Sequence, residues 1–331
     1  MNKKYDIQKI FSEYGIYLAL IAICVGFALA SKVFLTTKNI LNIARQVSMV
    51  GIAATGFIFV LLQGGIDLSI GSQITLANII MGYVISKMGI TNLLIVFPVG
   101  ITVHLLSGVI NGLLITKVKI LPLVVTLSTM TILDGISWII CRGQPFSGFP
   151  PNVRVVGQGY LGNIPIPVII MALMFCICAV MVNTTYIGRF FFAVGGNKEA
   201  SNLSGINVDR ITRLGYILSA GAASIAGIVM LSRTNSAQPG VAKGFEFDVI
   251  TASVLGGVSM SGGAGRVSGL IAGVLIIGVL NNGLVLINLD PYMQLVIKGL
   301  VLLAAVGYDS LSKDRASRRK MVVEAADETA A

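Results

Sequence analysis

Apolar runs long enough to cross a membrane limit what this chain can fold into more than any other feature. A helix of about 20 apolar residues spans the hydrocarbon core of a bilayer. Of the 331 residues, 55% are hydrophobic and 11% are charged, whereas a soluble domain needs about 25% charged residues. We therefore predict an all-α integral membrane protein.

Ten apolar segments predict roughly ten transmembrane helices. They lie near residues 14–31, 46–62, 68–86, 92–115, 120–141, 164–183, 214–232, 245–259, 267–286 and 292–309. The second and eighth segments are short for a core about 30 Å thick. The second segment would therefore begin earlier, near Asn39, or either segment would be a broken or tilted span. Residues 14–309 form the predicted transmembrane domain, between tails at 1–13 and 310–331.

The distribution of basic residues predicts that both termini lie in the cytoplasm. With that orientation, 15 of the 24 Lys and Arg residues fall in internal segments and 8 in external ones, while Lys298 lies inside the last helix. This follows the excess of positive charge on the cytoplasmic side of membrane proteins. The net charge of +10 comes from these ends and connections, which argues against a nucleic-acid-binding face.

A glycine pair followed by an aspartate interrupts the apolar pattern in "LLQGGIDLSIGSQITLANII", residues 61–80. Gly64 or Gly65 is suited to ending one helix in a left-handed conformation. Asp67 or Ser69 is suited to capping the next helix by accepting hydrogen bonds from its free N–H groups. Two interpretations remain compatible: a self-satisfied turn between spans, or a broken helix that also lines a polar pathway.

A second glycine-rich break, "GGVSMSGGAGR", occupies residues 256–266 and begins with Gly256 and Gly257. It lacks the Lys-Ser/Thr of a phosphate-binding loop, so we expect a close-packed turn. The two breaks are followed by "NGLLITKVKILP" (111–122) and "NNGLVLINLDP" (281–291) respectively. This echo suggests an inverted repeat, although chance recurrence of glycine-rich turns would also explain it.

The internal connection at 184–213 predicts a short cytoplasmic helix within "GGNKEASNLSGINVDR". Asn197 is a candidate N-cap, Glu199 lies in the first turn and Gly205 is placed to end the helix. A helix of about two turns is marginal in water by itself. We therefore expect a partner to bind its apolar face, formed by Leu203 and Ile206. A solvated loop on the membrane surface is the alternative.

No arrangement of residues predicts catalysis or metal binding. His104 is the only histidine, and a lone helical histidine facing a neighbouring carbonyl is more typical than a proton relay. The sequence offers no Ser/His/Asp or Cys/His constellation and no metal-ligand spacing, so we predict no enzyme activity, cofactor or metal.

Several long motifs, in order, resemble the permease subunit of bacterial ABC importers for monosaccharides of the ribose, galactose, xylose and arabinose type. "GGIDLSIGS" is similar to that family's GGIDLSVGS segment. "LPLVVTLSTMTI" (121–132) resembles its P-F-I-V-T-L-G-T run, with Leu123 for Phe and Ser128 for Gly. "GRFFFAVGGNKEASNLSGINV" matches its central cytoplasmic motif, except that Ser201 replaces an alanine. "GFEFDVITASVLGGVSMSGGAGRVSG" and "NNGLVLI" complete the resemblance, which covers residues 14–310.

The resemblance implies a type II ABC importer-like permease in the bacterial inner membrane, paired with a second copy or a paralogue. A cytoplasmic ATP-binding subunit would drive transport, and a periplasmic sugar-binding protein would deliver the sugar. The residues implied to couple the permease to the ATPase are Gly196, Asn197, Glu199, Ala200, Leu203, Gly205 and Ile206.

A neutral sugar needs hydroxyl-matching polar side chains along its path. The candidates belong to the two breaks and to the polar run within residues 121–132. The breaks contribute Gly64, Gly65, Asp67, Ser69, Gly256 and Gly257, and the polar run contributes Thr126, Ser128 and Thr129. Two alternatives remain: a permease of the same superfamily for nucleosides, amino acids or autoinducer-type furanones, and an ion-coupled secondary sugar transporter.

Overall fold

The computed structural model describes the backbone of residues 7–330 and the side chains of residues 15–311. The first helices are α1 (Ile7–Ala30), α2 (Thr37–Leu62), α3 (Ile70–Ser86), α4 (Leu93–Thr116) and α5 (Pro122–Cys141). The central helices are α6 (Pro151–Gln158), α7 (Ile166–Thr184), α8 (Tyr186–Gly196), α9 (Lys198–Leu203) and α10 (Val208–Thr234). The last helices are α11 (Phe245–Leu255), α12 (Val267–Leu286) and α13 (Pro291–Ala330).

The predicted all-α architecture is confirmed, but the count of ten spans is not. Each of the ten apolar segments lies on a helix, and the second helix begins at Thr37, earlier than its apolar segment. Within the part of the chain that the structure describes, seven helices are long and apolar enough to cross a membrane. The apolar stretches Gly15–Ala30 and Ile70–Ser86 are shorter, and α11 has only 11 residues. The number of spans therefore depends on how these three helices lie in the bilayer.

Helices α2 and α10 form the centre of the bundle. In the most apolar stretch of α2, 89% of the residues are buried, compared with 6% for the spanning part of α13. The two central helices approach closely because Gly56 of α2 has no side chain, and a Cβ there would overlap the carbonyl oxygen of Leu218. Helices α4, α5 and α7 surround them with mostly exposed apolar faces, as expected for surfaces that contact lipid.

Several short elements were not anticipated from the sequence. The Gly- and Pro-rich connection after α5 contains helix α6 and three two-residue strands, β1 (Phe146–Ser147), β2 (Tyr160–Leu161) and β3 (Ile164–Pro165). β1 pairs antiparallel with β4 (Ser236–Ala237), and β2 pairs with β3. The segment before the predicted short helix forms a further helix, α8.

Candidate functional site

The first break begins with a C-terminal cap on α2 that uses both glycines. Gly64 adopts a left-handed φ of 74°. Its N–H donates to the carbonyl of Leu61 (2.8 Å), and the N–H of Gly65 donates to the carbonyl of Val60 (2.9 Å). This pair of bonds is the Schellman arrangement, in which the last carbonyls of a helix are satisfied without water. Of the two predicted candidates, Gly64 is the left-handed residue.

The predicted cap on α3 is only partly correct. Ser69 occupies the N-cap position, but its side chain makes no capping hydrogen bond. Asp67 instead accepts from the backbone N–H of Ser69 (3.0 Å) and from its hydroxyl (2.6 Å). The carboxylate therefore stabilises the turn before α3 and leaves the Ser69 hydroxyl oxygen available for other partners.

Asp67 and Ser69 lie within a network of polar side chains buried among four helices. Gln73 and Asn111 both donate to the Ser69 hydroxyl, at 2.7 and 3.0 Å. Thr129 donates to Asn111 Oδ1 (2.6 Å), and Ser219 donates to Asp67 Oδ2 (3.2 Å). We call these residues the Asp67 cluster: Asp67, Ser69, Gln73, Asn111, Thr129 and Ser219.

Burial makes the hydrogen bonds of this cluster energetically important. Asp67, Ser69, Asn111 and Ser219 are completely inaccessible, and Thr129 is 8% exposed. A buried polar group without a partner costs about 1–3 kcal/mol. The cluster connects the first break to α3, α4, α5 and α10, so a displacement of the break would disturb hydrogen bonds to all four helices.

The three predicted polar residues of α5 do not share one environment. Thr129 joins the Asp67 cluster, whereas Thr126 is buried and bonds to the carbonyl of Pro122 in its own helix (3.0 Å). Ser128 is exposed on another face of α5. Ser128 therefore lies on a different face of α5 from Thr126 and Thr129, because each residue turns a helix by 100°, and its place on the translocation path stays a prediction.

The two glycines that open the second break lie in different surroundings. Gly256 is buried against α12, where a Cβ would lie 2.7 Å from the carbonyl oxygen of Gly269. Gly257 takes a φ of 77° and has open space around it. Neither glycine contacts the Asp67 cluster by any hydrogen bond described for these residues. The pairing of both breaks in one polar pathway therefore stays a prediction.

The two breaks meet directly, and the end of α8 joins them. The N–H of Gly263 donates to the carbonyl of Leu62 (2.9 Å). A Cβ on Gly262 would lie 2.7 Å from the nitrogen of Gly64 and 2.9 Å from Cα of Gly195. A Cβ on Gly195 would overlap the carbonyl of Leu62. We call this contact of residues 62–64, 195–196 and 261–263 the glycine junction.

The glycine junction puts both breaks and the α8–α9 segment at one end of the bundle. An inverted duplication would place equivalent breaks on opposite sides of the membrane. The contact between the breaks is not explained by such a duplication, and the repeat stays a prediction.

Helix α9 has the predicted caps and almost no contacts of its own. Asn197 Oδ1 accepts from the N–H of Ala200 (2.9 Å), and Gly205 takes a φ of 83°. Only Ser201 of this helix is buried, while Leu203 is 89% exposed. Glu199 and Ala200 are also exposed, and Ile206 is half-buried. Leu203 and Ile206 therefore leave some apolar surface accessible on this segment, and the partner expected to bind it stays a prediction.

A partly buried ion pair that the sequence did not predict connects the last helices. Lys298 of α13 contacts Asp248 of α11 at 3.1 Å, and Asn281 of α12 donates to the same carboxylate oxygen at 3.1 Å. Next to Asn281, Asn282 exchanges two 3.0 Å hydrogen bonds with Asn39. The Lys298–Asp248 pair attaches α13, the least buried of the seven helices long and apolar enough to cross a membrane, to the bundle. The predicted lone histidine contact is also present, since His104 Nδ1 lies 3.0 Å from the carbonyl of Gly100.

Comparison with known proteins agrees with the sequence motifs. Residues 39–306 match the family described as branched-chain amino acid transport system / permease component. The ribose import permease protein RbsC of Bacillus subtilis is 40% identical, over 93% of this chain and 96% of the relative. The L-arabinose transport system permease protein AraH of Escherichia coli is 35% identical, over 96% of each chain.

The galactose/methyl galactoside import permease protein MglC of Escherichia coli is 34% identical, over 95% of this chain and 98% of the relative. No solved structure matches the chain. The family match covers most of the chain, and these relatives are similar over nearly their whole length. The chain therefore belongs to the family of transport-system permease components.

Proposed function

We propose that this chain is the membrane-spanning permease subunit of an ATP-driven monosaccharide importer in the bacterial inner membrane. The observation that carries the proposal is similarity over nearly the whole chain to ribose, arabinose and galactose import permeases. Within this reading the permease provides the path, and a separate cytoplasmic subunit hydrolyses ATP. Both termini lie in the cytoplasm, and a soluble sugar-binding protein delivers the sugar on the other side.

The coupling surface for the ATPase is α9 and the turn after it. Asn197 and Gly205 fix both ends of this helix, while Leu203 presents an apolar side chain to the exterior. A short helix with fixed ends and an exposed apolar residue suits insertion into a groove of a partner. The residues we assign to this contact are Gly196, Asn197, Glu199, Ala200, Leu203, Gly205 and Ile206.

The glycine junction gives α9 a direct mechanical connection to the polar interior. Gly195 and Gly196 lie immediately before the N-cap of α9 and pack against the backbone of both breaks. The first break continues into Asp67, whose cluster reaches α3, α4, α5 and α10. A displacement of α9 on ATP binding would pass through backbone contacts to helices that surround the path. Two permease copies would enclose that path.

The cargo fits a neutral sugar better than an amino acid. A neutral, hydroxyl-rich solute calls for hydrogen-bonding groups without a fixed charge, and most polar residues inside the bundle are Ser, Thr, Asn and Gln. The family description nevertheless names branched-chain amino acids, so leucine is the competitor to test. Nucleosides and furanones remain further candidates within the same superfamily.

Uptake into proteoliposomes tests this proposal. The permease is reconstituted with its ATP-binding subunit, and labelled ribose, arabinose, galactose and leucine are supplied with the sugar-binding protein. We expect uptake of one sugar that requires ATP and persists after the proton and sodium gradients are collapsed. Uptake driven by an ion gradient without the ATP-binding subunit would overturn the proposal. Uptake of leucine and of none of the sugars would overturn the assignment of a monosaccharide as the cargo.

A point variant tests the coupling surface separately. Leu203→Asp replaces an exposed side chain, so the isolated permease should fold normally. We expect it to lose most ATP-driven uptake and most binding of the ATP-binding subunit. Leu35→Asp is the matched control, since Leu35 is 65% exposed in the connection between α1 and α2, at the other end of the bundle. Normal uptake by Leu203→Asp would exclude α9 as the coupling surface.

A further inference from the structure

Three arginines converge at the end of the bundle opposite α9. Arg45 lies in the third turn of α2, and the rise of 1.5 Å per residue puts about 25 Å between it and the glycine junction. Arg233 lies in the last turn of α10, which begins just after α9. Arg154 lies on α6, the helix that packs across the end of α10. In the proposed orientation, this end faces outward.

Hydrogen bonds connect Arg45 and Arg233 through Gln158. Arg45 Nη2 donates to the carbonyl of Gln158 (3.3 Å), and Gln158 Nε2 donates to the carbonyl of Arg233 (3.0 Å). Arg233 Nη2 in turn lies 3.4 Å from Asn42 Oδ1 on α2. Arg154 precedes Gln158 by four residues on α6, which puts both side chains on one face of that helix.

None of the three guanidinium groups has a carboxylate partner. Among the described side chains, the ion pairs are Lys119–Asp209 and Lys298–Asp248. Arg45 and Arg233 are held near one another, since both contact Gln158 and Arg233 also reaches Asn42, three residues before Arg45 on α2. Like charges held together without counter-charges are unfavourable, and a partner that brings negative charge would relieve the repulsion.

The surroundings hold the arginines in place. The guanidinium of Arg45 lies over the ring of Tyr160, 4.5 Å from its centroid. A Cβ on Gly157 would overlap the backbone of Arg233, so α6 rests directly on α10. The Asn152 side chain also donates to the carbonyl of Thr91 (2.8 Å). Fixed guanidinium groups lose little freedom on binding a carboxylate.

The position of the arginines favours a protein partner over lipid. Arg45 and Arg233 belong to α2 and α10, whose apolar stretches are 89% and 72% buried. The helices with exposed apolar faces are α4, α5, α7 and α13. A lipid phosphate would reach the rim of the bundle more readily than the ends of its two central helices.

We propose that Arg45, Arg154 and Arg233 form a docking site for carboxylates on a soluble protein. Given the proposed function, on which this inference rests, that protein is the sugar-binding protein, and the site would anchor one acidic patch of its surface. Arginine binds a carboxylate through two parallel hydrogen bonds, so three arginines would fix orientation as well as position.

Binding of the sugar-binding protein to the whole importer in lipid nanodiscs tests the site. Arg45→Gln, Arg154→Gln and Arg233→Gln are made singly and together. We expect the triple variant to lower the affinity by about tenfold or more and to flatten its dependence on salt. Arg142→Gln is the matched control, because Arg142 is an exposed basic residue after α5 with no described hydrogen bond to this group. It should leave both quantities unchanged.

The outcomes separate this inference from the proposed function. Wild-type uptake with unchanged affinity in the triple variant would overturn the docking site and leave the proposed function intact. The triple variant could instead keep its affinity for the sugar-binding protein but lose a preference for phosphatidylglycerol over phosphatidylcholine. That result would assign the arginines to lipid and would also overturn the docking site. Absence of wild-type uptake under every condition would instead count against the proposed function. Size-exclusion profiles identify any variant that misfolds, and Arg45→Lys, which keeps the charge but loses the paired hydrogen bonds, should retain only part of the affinity.

Discussion

The first break, residues 63–69, and the second, residues 256–266, have similar sequences but different roles. Both contain adjacent glycines followed by small polar residues. The first continues into Asp67, which accepts three hydrogen bonds from Ser69 and Ser219. The second satisfies its polar backbone largely through its own turns, such as Ser259 N–H to the carbonyl of Ala264 (2.9 Å). Glycines thus mark where a helix ends, while the following side chains determine what the break connects.

Replacing Asp67 should have the largest effect, because it removes the centre of the first break. Asp67→Leu leaves Ser69 and Ser219 without their acceptor in a fully buried site, which should destabilise the fold by about 4 kcal/mol or more. Asp67→Asn retains one acceptor oxygen and should cost about half as much. The measurement is the yield and thermal unfolding of the purified permease. Equal yields of the two variants would contradict the role given to this carboxylate.

Gly195→Ala should be the next most severe change, and it tests whether the breaks depend on their mutual contact. The new methyl group would overlap the carbonyl of Leu62 and the amide of Gly263. Forcing the junction open should cost about 3 kcal/mol. Gly196→Ala is the adjacent control, since a Cβ there meets nothing within 4 Å. Similar melting temperatures for both variants would mean that the junction is not tightly packed.

A matched pair of serines compares the two breaks directly. Ser69 donates to Asp67 and accepts from Gln73 and Asn111, whereas Ser259 Oγ has no partner among the described residues. Ser69→Ala should therefore lower the free energy of unfolding by about 2 kcal/mol, and Ser259→Ala by less than about 0.5 kcal/mol. Denaturation of both variants in the same detergent measures the difference. A larger effect at Ser259 would reverse our assignment of roles.

The smallest expected difference concerns two threonines of α5. Thr129 bonds to Asn111 on another helix, but Thr126 bonds to a carbonyl of its own helix. Thr129→Val should cost about 1 kcal/mol, while Thr126→Val should be close to neutral, because a threonine bonded to its own helix contributes little. Thermal shifts of the two variants test how far the Asp67 cluster extends. Identical shifts would limit the cluster to α3, α4 and α10.

The predictable features of this fold are those that depend on neighbouring residues. Asn197 and Gly205 were assigned to the ends of α9 because caps act within a few residues. The same applies to the end of α2 at Gly64. The contact of Thr129 with Asn111 could not be predicted, since it depends on how two helices are rotated about their axes. Rotation also decides the environment of Ser128, because one residue separates its exposed position from the buried position of Thr129.

Contacts between distant backbone segments were equally inaccessible to sequence reasoning. Gly195 looks like an ordinary helix-terminating glycine, yet its packing partners are Leu62 and Gly263. Helix α8 was missed because its apolar residues were assigned to a connection. The pairing of Asp248 with Lys298 was missed because the two residues lie on different helices, 50 positions apart in the chain.

The glycine junction also limits how the length of this chain can change. Its contacts join backbone to backbone, so no side chain within it can be exchanged to restore a lost fit. One residue inserted into α2 would turn Leu62 by about 100° and move it by about 1.5 Å, away from Gly195 and Gly263. Insertions and deletions should therefore be rejected in α2 and α8 even where substitutions on their exposed faces are accepted.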